Sequence, residues 1–336
     1  MKAKFDGTDT TAPADAVPLY EQSGYGRIEK NGTLRLDAGE TLYLIARGKI
    51  EIPGRTFDTL LAECAKTPGF LRNFIVYRDI RERGYVITSG PQDFRIFPRG
   101  QRPGKGNSRY LMRVLSERDL IDLSSLKSDT TAAANMRKQF LLAVLDDEHE
   151  LTYYEIRLTH LTPGEPKEIP SGISATRAGI PSYVTEDGSG ITKTLQDLWL
   201  GTMLDEKRLF LSPLETAWLL ETGRLTLTPP AAAEEYISAA AAADAEFFEK
   251  LTLYRRFKEL GLYPRSGYKY GHHFRVYTAS GSHSEMLAHA VPKGTIMSMS
   301  TISRSVRLAH SVRKRMIFAC IDKDTITGIE FARIKM

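Results

Sequence analysis

The chain has 336 residues, 42% hydrophobic and 26% charged, with a formal net charge of +5. That length suits two ordinary domains of globular composition, and no run approaches the ~18 apolar residues that a membrane helix needs. The only two cysteines, Cys64 and Cys320, lie far apart, so they read as small buried hydrophobes rather than a disulfide or a metal pair.

In chain order, MKAKFDGTDTTAPADAVPLY lacks the apolar core of a signal peptide and reads as a flexible lead-in, which predicts a cytoplasmic protein. Residues 25–52 then read as strand, helix, glycine stop and strand. Residues 208–227 repeat that pattern. Leu34, Leu36, Glu40, Thr41, Leu44 and Gly48 fall in ungapped register with Leu209, Leu211, Glu215, Thr216, Leu219 and Gly223.

The match resumes downstream. Tyr77-Arg78 with Gly84 and Gly90 mirrors Tyr254-Arg255 with Gly261 and Gly267, and Phe94–Phe97 mirrors Phe274–Tyr277. Asn107-Ser108 mirrors His283-Ser284, and Asn135–Asp146 mirrors Ser311–Asp322. An offset that returns to nearly the same value across local indels marks a tandem duplication, with a period too long for a solenoid. We therefore assign 1–160 to a first repeat, 161–190 to a linker rich in Pro, Gly and Ser, and 191–336 to a second repeat. The stretch between Pro229-Pro230 and Gly261 predicts one packed helix, with Tyr236, Phe247, Leu251 and Tyr254 as its apolar positions. Each repeat alternates a small mixed lobe with helices and strands, an α+β or mixed α/β architecture.

The chemistry concentrates in the last third. In Phe274-Arg275-Val276-Tyr277 the strand period of two puts Arg275 and Tyr277 on one face. His283 follows a turn at Gly281. Ser298–Ser303 offers helix caps to a basic segment, and Lys314 stands where that segment hands over to an apolar strand. Arg307 lies seven residues before Lys314, two helical turns, which predicts a shared face. VRLAHSVRKR carries four positive charges and no acid, a cluster able to attract a polyanion. Taken singly, each residue has a bland reading: Tyr277 as packing, His283 as an idle surface group, Lys314 as a complement to a helix dipole.

The duplication supplies an internal control. In the first repeat Phe97 replaces Tyr277 and Asn107 replaces His283, whereas Lys138 keeps the lysine. Both groups able to move protons are missing from one copy, which reads as one active and one retired site. If the polyanion drawn to the basic cluster is RNA, cleaving it without a metal needs a base for the 2′-hydroxyl, an acid for the 5′-oxygen and a cation for the phosphorane. A histidine with a pKa near ~6.5 suits the acid. A free tyrosine near ~10 is a poor base unless a cation such as Lys314 or Arg307 lowers it. The residues themselves leave acid and base interchangeable between Tyr277 and His283. The four histidines His272, His273, His283 and His289 lack a metal-ligand frame and an acidic cluster, so no metal or cofactor is expected, and His272 and His273 read as loop or edge polar groups.

The ordered set YR…LG…SGYKYG, FRVY, His283-Ser284 and RLAHSVRKR before a strand ending at Asp322 resembles the catalytic domain of archaeal tRNA-splicing endonucleases. The resemblance spans nearly the whole chain and implies a two-lobed repeat with a nuclease-like C-terminal lobe, about 252–336 in the second copy. It implies excision of introns from precursor tRNA at bulge–helix–bulge sites, with Tyr277 as base, His283 as acid and Lys314 as stabiliser. Cyclic 2′,3′-phosphate and 5′-hydroxyl ends follow from that chemistry. Arg307 corresponds to an arginine that grips a bulged base, with Arg333 as a second across an alignment gap. One active and one retired copy per chain resembles the homodimeric branch of that family, which implies a homodimer. The acidic turn Asp146-Asp147-Glu148 corresponds to a loop that enters a basic cleft of the opposite subunit; the second repeat has Asp322-Lys323-Asp324 there. A non-catalytic RNA-binding or assembly subunit is the competing reading, and the intact triad of the second repeat speaks against it. A metal-dependent nuclease would need clustered acids that the 277–314 region lacks.

Overall fold

A computed structural model of the chain describes residues 1–159, 161–278, 283–322 and 325–336. The expected turn at Gly281 and the Lys323-Asp324 part of the second acidic turn lie outside the described residues. The chain forms two compact units, one of Met1–Arg157, Ile296–Ser303 and Phe331–Met336, the other of Leu158–Thr295 and Arg304–Glu330. The architecture is mixed α/β, and each unit contains a small sheet and a run of strands of the larger, ten-stranded one.

In the first unit the small sheet runs Lys4–Phe5, Asp9–Ala12, Leu34–Asp37, Arg27–Ile28. The opening residues are therefore not a flexible lead-in. Lys4 pairs with Thr11 and Thr10 with Leu36, and Ala12 and Ala16 are buried against Leu34 and Leu36. Small residues fill those inward positions, which hides the strand from a search for apolar runs. In the larger sheet this unit's strands are ordered Val86–Ser89, Phe94–Phe97, Tyr110–Ser116, Gln139–Leu145, Leu151–Thr159. Tyr110–Ser116 and Gln139–Leu145 are parallel and the other neighbours antiparallel. A parallel pair needs a crossover, which the helix Leu123–Asn135 provides. The helix Phe70–Glu82 covers the sheet, with Phe74, Tyr77 and Ile80 packed among Ile96, Met112 and Leu141.

The second unit repeats this order: Tyr263–Ser266, Phe274–Tyr277, Met286–Pro292, Arg315–Asp322, Thr325–Ile334. Again only the third and fourth strands are parallel. Their crossover helix is Met299–Ser311, whose first part, to Ser303, belongs to the first unit; its buried stripe is Met299, Ile302, Val306 and Ala309. Ser298 accepts the Thr301 amide at 3.2 Å, the predicted serine cap.

Two other expectations change. Part of the stretch read as a linker is sheet. Ile173–Arg177 and Ser182–Thr185 are antiparallel neighbours in the small second sheet, with Ile173, Ala175, Ser182 and Val184 buried in alternation. The predicted single helix is two, Ala233–Ala243 and Phe247–Glu259, because Asp244 is extended and its carboxylate accepts the Glu246 amide at 3.0 Å. All four of the predicted apolar positions are buried.

The duplicated Glu-Thr pair explains the conserved shape of the small lobes. Asp37 with Glu40, and Ser212 with Glu215, each form a reciprocal capping box. The two glutamates also accept the amides of Gly26 and Gly201, at 2.8 and 2.9 Å. Both glycines have φ near +70° (65° and 71°), and a Cβ would lie 2.3 Å from Arg35 O in one copy and 2.7 Å from Phe210 O in the other. Only glycine fits there.

Candidate active site

Three segments of the second unit are tied together by backbone and lysine hydrogen bonds. The Glu285 amide donates to Val276 O at 3.1 Å, Lys314 Nζ donates to Ser284 O at 2.7 Å, and the Arg315 amide donates to Glu285 O at 3.1 Å. Tyr277, His283 and Lys314 thus each take part in this crossing or stand one residue from it, and consecutive Cα atoms are only ~3.8 Å apart. The backbone of all three residues therefore comes together where the third and fourth strands start.

Each side chain is presented differently. Tyr277 is half-buried on the face opposite the core residues Phe274 and Val276. Its ring packs on Trp199 at 4.7 Å between centroids, and the Arg275 guanidinium lies 5.8 Å from it. His283 is exposed. Lys314 is half-buried, its ammonium held at the Ser284 carbonyl.

The first unit has the same crossing, with Phe97 and Asn107 in place of the tyrosine and histidine. Lys138 Nζ donates to Ser108 O at 2.7 Å and to Ser108 Oγ at 2.6 Å. Arg137 and Arg313, one residue before each lysine, both turn left-handed at φ 56° and 55°. Each lysine amide then closes on a helix carbonyl, Lys138 on Ala133 and Lys314 on Ala309. This turn overturns the shared face expected for Arg307 and Lys314. The helix ends at Ser311, so Lys314 is outside it and only the exposed Arg307 is helical.

Arg333 is exposed near the end of the last strand, in the first compact unit, whereas Arg307 belongs to the second. In the acidic turn Asp146 has an internal duty, accepting the amides of Glu148 at 3.0 Å and Glu150 at 2.9 Å. Asp147 pairs with Arg118, both largely exposed.

The histidines differ from expectation. His272 and His273 are buried rather than edge groups, and His289 stacks on His273 at 3.9 Å between ring centroids. Burial, with the His289 charge as a second cause, pushes His272 and His273 down to about 4, so both are neutral near pH 7. Ligand-type atoms of Glu246, His273 and His289 lie within 4.8 Å of one another, a grouping that linear spacing hid because Glu246 arrives from a helix cap. His273 Nδ1 accepts the Ala290 amide at 3.1 Å, which leaves the ring proton on Nε2, 3.3 Å from Glu246. Lys250 also holds Glu246, at 3.1 Å. Neither His273 Nε2 nor His289 Nδ1 has a hydrogen-bond partner among the described residues. In the first copy Asp93 accepts the Val114 amide at the matching place, at 2.7 Å.

Comparison with known proteins returns a consistent picture. The profile described as tRNA intron endonuclease, N-terminal domain, matches residues 1–61 and 183–236. The profile described as tRNA intron endonuclease, catalytic C-terminal domain, matches residues 70–153 and 247–328. A tRNA-splicing endonuclease of Methanococcoides burtonii is 36% identical, with 95% of each chain covered. One of Methanosarcina barkeri is 34% identical over 100% of both chains, and one of Natronomonas pharaonis 34% over 98% of both.

Proposed function

Because the chain belongs to the tRNA intron endonuclease family, in two tandem two-lobed copies, we propose that it excises introns from precursor tRNA at bulge–helix–bulge sites by metal-independent acid–base cleavage. Tyr277 takes the proton of the 2′-hydroxyl, whose oxygen attacks the adjacent phosphorus. The bond to the 5′-oxygen breaks as His283 protonates that oxygen. Lys314, fixed by the Ser284 carbonyl, faces the charge that builds on the phosphoryl oxygens. The products are a 2′,3′-cyclic phosphate and a 5′-hydroxyl. The observation that carries this reading is the pair of matched crossings: both copies keep the lysine–carbonyl bond, and only one keeps the tyrosine and histidine.

The test is incubation with a bulge–helix–bulge RNA in excess EDTA, followed by identification of both ends. Undiminished cleavage with cyclic phosphate ends is expected. Loss of cleavage on chelation with recovery in magnesium would refute the acid–base scheme.

Arg307 is assigned to a bulged base, with Arg333 as the second candidate, since a guanidinium stacks on an unpaired base. The chain is assigned to a homodimer in which the acidic turn of the first copy enters the partner. Asp146 folds the turn, so Asp147 and Glu148 are the groups free to reach across; the exposed Asp147–Arg118 pair is weak enough to exchange. Replacing Asp147 and Glu148 by Ser, with Asp146 kept, is expected to convert dimers to folded monomers in sedimentation. The expected loss is about 2–5 kcal/mol for each buried pair broken. An undisturbed dimer would return the turn to the solvent.

A further inference from the structure

Lys258 has lost the structural duty that its counterpart performs. In the first copy the same helix position is Arg81, which is buried and fully used. It donates to Tyr77 Oη at 3.0 Å, Ser23 O at 2.8 Å, Gly24 O at 3.1 Å and Ile87 O at 3.3 Å. In the second copy the matching loop is held from elsewhere. Arg265 donates to Trp199 O at 3.2 Å and Gly201 O at 3.0 Å, and stands 3.4 Å from Glu215. Thr88 occupies the Arg265 position in the first copy.

Lys258 remains as an ammonium with no hydrogen bond or ion pair among the described residues. Nζ lies 5.2 Å from the Trp218 ring and 5.5 Å from the Tyr263 ring. It lines a cleft of about 180 Å³. Lys167 approaches the same Tyr263 ring, at 5.9 Å, Arg224 is pinned to the Ile169 carbonyl, and the exposed Glu168 is the acid on the lining. Burial pushes the Lys258 ammonium down to about 8, opposed by Glu215 and aided by Arg265. An ammonium taken out of water without a direct ion-pair partner costs free energy that a bound anion would restore. The cleft is also close to the candidate site: Tyr263 pairs directly with Tyr277, and Trp199 packs on both rings, at 6.0 and 4.7 Å.

We propose that this cleft is an anion subsite for a phosphate group, with Lys258 as its main ligand and Lys167 at its mouth. Resting on the proposed function, the occupant is a backbone phosphate of the RNA near the cut; free inorganic phosphate offers the same chemistry.

The test compares the full-length protein with Lys258→Met, and with Lys258→Gln in case the apolar side chain disturbs packing. Inorganic phosphate is titrated against the fluorescence of Trp218 and Trp199 together and against thermal midpoint, with chloride at matched ionic strength as control. Affinity for an uncleavable bulged RNA is measured across salt concentrations. An RNA occupant predicts weaker RNA binding in both variants and a salt slope reduced by about 1. A free-phosphate occupant predicts a saturable phosphate response in the parent, lost in both variants, with RNA affinity unchanged. In that second case, sulfate, whose charge is constant over the range, should bind less well as pH rises through about 8. If neither RNA nor phosphate binding depends on residue 258, the proposal falls. Cleavage by the parent protein is scored separately, so failure of the subsite and failure of the proposed activity are told apart.

Discussion

His283→Ala is expected to lower the single-turnover rate of intron cleavage by about 10²–10⁴-fold, the usual contribution of one general acid, while RNA affinity changes little. His283 is exposed and one residue from the Ser284 carbonyl that anchors Lys314, so its loss should leave the crossing intact. A transition-state proton donor lowers the rate without lowering ground-state binding. Added imidazole should restore part of the rate. If affinity falls as much as rate, His283 is a binding residue and the acid must be sought elsewhere. The first copy gives the comparison, since Asn107 stands at this position beside the same lysine–serine bond.

Glu215→Ala is expected to destabilise the fold by about 3–5 kcal/mol, as when one partner of a buried charge pair is removed. One oxygen of the buried Glu215 accepts the Gly201 amide at 2.9 Å and the other accepts the Ser212 amide at 2.7 Å. Arg265 stands 3.4 Å away. Truncation would strand two amides and leave a half-buried guanidinium with less compensation. Glu40→Ala should cost less. It accepts two amides in the same way, but Thr88 sits where Arg265 would be. Urea denaturation of both variants measures the difference. Equal losses would show that the arginine adds nothing.

Much of this was legible in the sequence because duplication turned one chain into two aligned examples. Glu40/Glu215 and Thr41/Thr216 stood out as repeated letters, and their repeated hydrogen bonds explain why those letters persist. Tyr277, His283 and Lys314 were visible as a pattern, but their partner Ser284 was not recognised as one, since a carbonyl acceptor has no residue signature. The face shared by Arg307 and Lys314 failed because a left-handed Arg313 stops the helix, and arginine rarely marks such a turn. The opening strand was missed because Thr10 and Ala12 fill its inward positions, and those at 173–185 because Ala175 and Ser182 break up the apolar signal of Ile173 and Val184. The exchange of Arg81 for Arg265, with Lys258 left over, needed coordinates. The substitutions sit on different elements and only space relates them.

The lysine bond common to both copies bears on how genes for such enzymes can decay. Lys138 keeps its grip on Ser108 in a copy that has Phe97 and Asn107. Selection on that lysine therefore has a reason independent of turnover, namely joining a strand entry to the loop before its neighbour. A gene copy released from catalysis can drift at its tyrosine and histidine and still encode a stable partner, whereas drift at the lysine threatens the protein itself. Residue identity at the lysine is thus a poor witness of activity in relatives. On the proposed mechanism, the aromatic hydroxyl and the imidazole are the letters that would separate a working copy from a silent one.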